Sequence, residues 1–267
     1  MDAPGTLHHI IIRGIEGRRI VDDDGDRQDF VSYMGTAALE SETSIYAWAL
    51  TTNHAHIFVR SGPSGLCHYM RCILSGYGTS YNRRHGRHGH LFQNRYKSII
   101  CEEEPYFKDL VRYIHLNPLR ARLVDSLARL DTYRYCGHSV LMGRVKYDWQ
   151  DRDYVLKLFG TKEGEAKRIY RQFVKKGIDQ GRRPDLVGAG LIRSQGGWSA
   201  VKAMRRLGVR EKSDERILGS GDFAEQLMEQ CDPLRKDQFP PRQRSRRAAS
   251  IVEKLCKKED VRINELK

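Results

Sequence analysis

Four short runs of β-forming residues alternate with helical periodicity along the N-terminal half, and that order restricts the fold more than any other feature. Leu7 to Arg13 is rich in isoleucine, and Gly14 and Gly17 bound a turn after it. Asp26 to Ala38 then places Phe30, Val31, Met34 and Ala38 at helical spacing. Ser44 to Leu50 and His54 to Arg60 read as two strands joined tightly through Thr51, Thr52 and Asn53. Leu66 to Tyr81 predicts a second helix and Leu91 to Ile100 a fourth strand. Pro105 to Leu116 predicts a third helix, opened by Glu102, Glu103 and Glu104 and a first-turn proline. The order βαββαβ followed by α specifies an α+β class: a ferredoxin-like antiparallel sheet with helices on one face. After about residue 145 the pattern becomes mostly helical and charged. The expected organisation is a domain over 1–145, a helical extension over 146–239 with a break at Gly160, and a basic linker with a possible partial helix-turn-helix over 240–267.

Charge narrows the partners. Lys and Arg number 47 against 34 Asp and Glu, a net charge of +13, which is the footprint of a polyanion binder. Basic clusters lie at Tyr81 to His88, at Arg95 to Lys97, at Lys202 to Arg210 and at Arg242 to Arg247. Tyrosines interleave with the first two, which suits stacking on unpaired bases. No stretch approaches the roughly 20 apolar residues of a membrane span, and the N-terminus has no basic and apolar leader. The expectation is a cytoplasmic, nucleoid-associated protein that does not engage membranes. Its six cysteines form no Cys-x-x-Cys pair, which argues against a zinc ribbon or a disulfide framework.

Candidate chemistry centres on "LTTNHAHIFVR". On a strand, successive side chains point to opposite faces, so His54 and His56 emerge together and can grip one metal ion; two partly exposed strand-end histidines are the plainer alternative. In the third helix Phe107, Leu110, Val111 and Ile114 make an apolar stripe, and Tyr113 and Asn117 stack beside it, four residues apart. A boundary tyrosine and a helix-terminal asparagine would look the same. Tyr106, seven residues earlier, lies on nearly the same face as Tyr113. His115 faces away from Tyr113, and His85 and His88 sit in a basic loop suited to phosphate.

Read in order, "HHIIIRGIEGRRIVDDDGDRQDF", "AWALTTNHAHIFVR", "YNRRHGRHGHLFQNRYKS" and "LVRYIHLNPLRARLV" resemble the IS200-like tyrosine transposases of the HUH type, in particular the REP-associated tyrosine transposases. The resemblance runs over about residues 7 to 125. It implies a divalent metal, Mg²⁺ or Mn²⁺, on His54, His56 and Asn117, and a nucleophile at Tyr113. Ala55 departs from the bulky residue usual between the two histidines. The implied activity is cleavage and transfer of single-stranded or hairpin DNA through a 5′-phosphotyrosyl bond, by a monomer or homodimer. Candidate DNA contacts are Arg83, Arg84, Arg87, Arg95, Tyr96 and Lys97, with Arg13 and Arg120 added on the resemblance. Two other readings stand beside it: a noncatalytic DNA or RNA hairpin binder that keeps the fold, and a nuclease using water, which the lack of an evident carboxylate cluster weakens. Paired imidazoles suit Mn²⁺ better than Mg²⁺.

Overall fold

The computed structural model describes residues 3–181, 183, 186 and 216–227. The chain divides into two units, 2–221 and 222–267 with Met1. Of the second only 222–227 is described, as helix. The larger unit is built on a sheet in which β1 (Leu7–Arg13), β2 (Ser44–Leu50), β3 (His54–Arg60), β4 (Lys97–Cys101) and β5 (Ile217–Leu218) lie in the order β2-β3-β1-β4-β5. The first four strands are antiparallel in the ferredoxin-like arrangement, and β5 adds a parallel edge to β4.

Two crossovers, α1 (Asp24–Glu40) and α2 (Gly65–Arg84), share one face of the sheet, as expected. A reciprocal cap starts α1: the Asp23 side chain accepts from the Asp26 N–H, and the Asp26 carboxylate accepts from the Asp23 N–H. Ile10, Ile12, Ile45, Trp48, Leu50, Ala55, Ile57 and Val59 meet Phe30, Met34, Tyr69, Ile73 and Tyr77 there in one apolar core.

The other face is covered as well, which corrects the expectation of helices on one face alone. α3 (Glu103–His115) lays Phe107, Leu110, Val111 and Ile114 on Leu7, Tyr46, Ala47, Phe58 and Ile99. α4 (Asn117–Arg120), α5 (Leu127–Leu130), α6 (Gly137–Leu141), α7 (Arg152–Lys157) and α8 (Glu163–Lys176) follow. Leu130, Leu141, Val155, Tyr170 and Val174 extend the same core. Much of the helical extension is thus part of the sheet's own unit, because the face that α3 leaves open needs apolar cover. α7 and α8 are separate helices on either side of Gly160, as expected.

Two local differences bear on the site. β4 starts at Lys97 rather than near Leu91, because Asn94 adopts positive φ (61°) and interrupts the extended run. Arg95 and Tyr96 therefore precede the strand, and only Lys97 is on it. β5 was unforeseen; two residues are too few to show a period, and the Arg216 and Leu218 carbonyls pair with the Ile100 and Glu102 N–H groups. The expectations at Lys202 to Arg210 and over 240–267 lie outside the described residues.

Candidate active site

Strand parity assembles the site. In the antiparallel register of β1 and β3, Arg13 lies opposite His54, Ile11 opposite His56 and His9 opposite Phe58. Alternation puts His54, His56 and Phe58, together with His9, Ile11 and Arg13, on the face that α3 covers. His9 is thus the diagonal neighbour of His56, within reach for a ring. Their rings are near-parallel, 25° apart with centroids 5.1 Å apart, and His9 Nε2 lies 2.9 Å from His56 Nδ1. His9 Nδ1 donates to the Leu186 carbonyl at 3.2 Å. On the other side, His54 packs edge-on to His56 at 5.2 Å. Its Nδ1 is held by Asn53 Oδ1 at 2.8 Å and Thr51 Oγ1 at 2.9 Å, both from the tight β2–β3 connection.

α3 brings Tyr113 onto this group. Its ring is edge-on to His56 at 5.7 Å and to His9 at 6.0 Å. The helix ends at Leu116, and Pro118 starts the short α4, so Asn117 sits at the junction. Asn117 donates from Nδ2 to the Tyr113 and Ile114 carbonyls at 3.0 and 3.1 Å, closing the end of α3. That use of the amide nitrogen leaves Oδ1 as the group's remaining acceptor. Arg120 lies over the Tyr113 ring at 5.2 Å and donates to the Tyr113 carbonyl at 3.2 Å. Its buried Nε has no partner among the described residues.

The electrostatics are one-sided. Burial holds the His9 imidazole at about 4, with Lys97 adding to the decrease against the Leu186 hydrogen bond. Burial also pushes His54 down, helped by Arg13, and pushes His56 well down, helped by His9, His54 and Arg120. All three rings are therefore neutral near pH 7. The cations felt at these rings come from β1, β4 and α4, and among the described residues no carboxylate contributes. A site with neutral imidazoles and a cationic rim favours an anion and leaves imidazole lone pairs available.

A divalent metal fits this donor set. Each of His54 and His56 has its Nδ1 taken up by a fixed neighbour, which turns Nε2 into the open nitrogen, the usual support of a ligating histidine. Asn117 Oδ1 offers an oxygen. Two imidazoles and an amide oxygen suit Mn²⁺ more readily than Mg²⁺.

The remaining expected residues fall into separate places. Arg95 and Tyr96 line a cleft of ≈ 1160 Å³ between α2 and residues 89–98, together with His68, Arg71 and His90. Arg83 is exposed near the end of α2, and Arg87 lies over the Tyr81 ring at 5.6 Å. Arg84 binds Asp23 and Asp26 at 2.6 and 2.5 Å, tying α2 to the cap of α1. His85 donates to the same Asp26, so it serves the cap rather than the free basic loop expected of it. Asp22, Asp26 and His85 have metal-ligand spacing, yet Asp26 is already shared with Arg84 and with the cap. His115 is fully buried away from the site and hydrogen-bonds Tyr170, as its spacing from Tyr113 suggests. Tyr106 packs against the apolar core of the α3 face. No sequence motif marks His9; the signal that finds it is its parity with Leu7 and Ile11, combined with the β1–β3 register.

Comparison with known proteins supplies the context. Residues 5–117 match the family model described as transposase, IS200 like. No curated protein matches the chain. Among solved structures the chain is similar to a REP-associated tyrosine transposase bound to a REP hairpin, with 12% identity and a TM-score of 0.45, over 57% of this chain and 94% of that one.

Proposed function

We propose that this chain, whose residues 5–117 belong to the IS200-like transposase family, cuts and rejoins single-stranded DNA beside a hairpin, with Tyr113 as nucleophile. The observation that carries the reading is the meeting of Tyr113 with His56 at 5.7 Å beside His54, within a cationic rim. Hairpin DNA is the substrate class that the sequence resemblance implies, and the net charge of +13 agrees with a nucleic acid.

In this reading the Tyr113 hydroxyl attacks the scissile phosphorus in line. The phenol proton is released to solvent, the Oη–P bond forms, the P–O3′ bond breaks, and the departing 3′ oxygen takes up a proton from solvent. A phenol of reference pKa ~10 is a poor nucleophile at pH 7, so the phosphate must be made more electrophilic. A divalent metal on His54 Nε2, His56 Nε2 and Asn117 Oδ1 supplies that polarisation when bound. Arg120, whose Nε has no partner among the described residues, would bind a phosphate oxygen beside Tyr113, with Arg13 and Lys97 adding positive charge to the rim. The ester bond is kept, so a second 3′ hydroxyl can displace Tyr113 and rejoin DNA without an outside energy source. Arg95 and Tyr96 in the α2 cleft hold the unpaired strand, with exposed Arg83 near the end of α2 and half-buried Arg87 just beyond it. Arg84, although ion-paired, leaves part of its surface exposed at the same helix end.

The deciding experiment incubates labelled hairpin DNA, drawn from repeats flanking the gene, with the chain and Mn²⁺ or Mg²⁺, beside Tyr113→Phe. A covalent protein–DNA adduct on a denaturing gel is expected for the parent and none for the variant. Binding without cleavage under either metal replaces this reading with a noncatalytic hairpin binder. Cleavage that survives Tyr113→Phe replaces it with hydrolysis by water.

A further inference from the structure

His9 takes no part in the chemistry above, yet it is fully buried and its two nitrogens are both engaged. We propose that His9 is a positioning residue that fixes His56 in the tautomer whose Nε2 lone pair is open to a cation. The inference rests on the metal reading of the preceding section.

The hydrogen bonds leave one consistent assignment. The Leu186 carbonyl can only accept, so His9 Nδ1 carries the hydrogen at that 3.2 Å contact. In a neutral imidazole the second nitrogen is then a bare acceptor. His56 Nδ1, 2.9 Å from His9 Nε2, must donate to it. A neutral His56 has only one N–H, so its Nε2 has none. The two ring planes lie only 25° apart, so the hydrogen bond runs close to the plane of both rings and restrains the orientation of His56.

His54 reaches the same tautomer by a local route, since Asn53 Oδ1 can only accept and so draws the hydrogen to His54 Nδ1. Its partner is the adjacent residue. His56 sits at mid-strand, with no turn beside it, and depends on a residue 47 positions earlier. Remove the His9 acceptor, and His56 divides between two tautomers, one of which places a hydrogen where a ligand lone pair is needed.

The test uses the full DNA-free chain, titrated with Mn²⁺ by electron paramagnetic resonance of the free ion, for the parent, His9→Phe and His9→Gln. His9→Phe keeps the ring volume but lacks the acceptor, and a ~10–100-fold loss of Mn²⁺ affinity is expected, the range for removing a support of a ligating histidine. His9→Gln offers a side-chain oxygen to His56 and should recover most of that loss, which a purely space-filling role would not predict. Nitrogen-15 spectra of the metal-free parent should show His56 with its hydrogen on Nδ1, a readout that needs no variant to fold. A folded His9→Phe chain that binds Mn²⁺ as tightly as the parent overturns the inference, and so does a parent His56 protonated on Nε2. A parent that binds no Mn²⁺ at all gives a different result: it overturns the metal reading beneath the inference.

Discussion

The two faces of the sheet are made from alternate residues of the same strands, and they have become different materials. On the α1–α2 face, Ile10, Ile12, Ala55, Ile57 and Val59 meet helices in an apolar core, and His8, at the same parity, is buried with its Nδ1 hydrogen-bonded to Ser98. On the α3 face, Leu7 and Phe58 are apolar toward one end, and His9, His54, His56 and Arg13 follow at the other. Both faces therefore supply burial energy, and the α3 face also carries the histidine cluster, polar groups whose burial costs stability. Residue parity separates folding from chemistry within single seven-residue strands.

The largest test of that division is Phe30→Ala. This fully buried ring belongs to the α1–α2 core, and its loss should cost about 3–5 kcal/mol by urea unfolding. Mn²⁺ affinity of the molecules that remain folded should be unchanged; a matching loss at the histidines would break the separation of the faces.

Acid should act through the opposite face. His9 and His56, with His115 and His138 in the α3-side packing, are all held below the ordinary histidine value, chiefly by burial. An unfolded chain takes up these protons near pH 6.5, and the folded chain resists until lower pH. Stability is therefore complete above pH 6.5 and is lost as pH falls toward the folded values, about 4 for His9. His9 alone accounts for roughly 3 kcal/mol across that window. Urea midpoints should drop between pH 7 and pH 5, with hydrogen exchange rising first in α3. A midpoint that stays flat over this range would contradict neutral buried rings.

His54→Ala sharpens the comparison from the other side. The ring is only partly buried, so stability should move by less than about 1 kcal/mol, whereas cleavage of hairpin DNA should fall at least ~100-fold. A variant that cuts DNA normally removes His54 from the reacting centre. The smallest effect belongs to Lys97→Ala on the rim. Removing one phosphate contact should weaken single-strand binding evenly across sequences and flatten the salt dependence of log K by about 0.7. An effect confined to one sequence would mean that Lys97 reads a base instead.

Much of this was legible in local patterns. β1, β2 and β3 fall where alternation and turn residues place them, and the stripe of α3 contacts the sheet as its spacing requires. The pairing of His54 with His56 follows from period two alone, and that of Tyr113 with Asn117 from one helical turn. Arg84 shows where such reading stops, because the sequence exposes its charge but not Asp23 and Asp26, which come to it from another helix.

The chain by itself thus determined the strand order, the alternating faces and the residues that share a side of each element, since these are set by geometry within a few neighbouring positions. Tertiary structure decided that α3 and the later helices close the second face, that Ile217 and Leu218 extend the sheet, and that His9 stands against His56. Those outcomes depend on register and on contacts between distant segments, where a shift of one residue would exchange the core face for the histidine face.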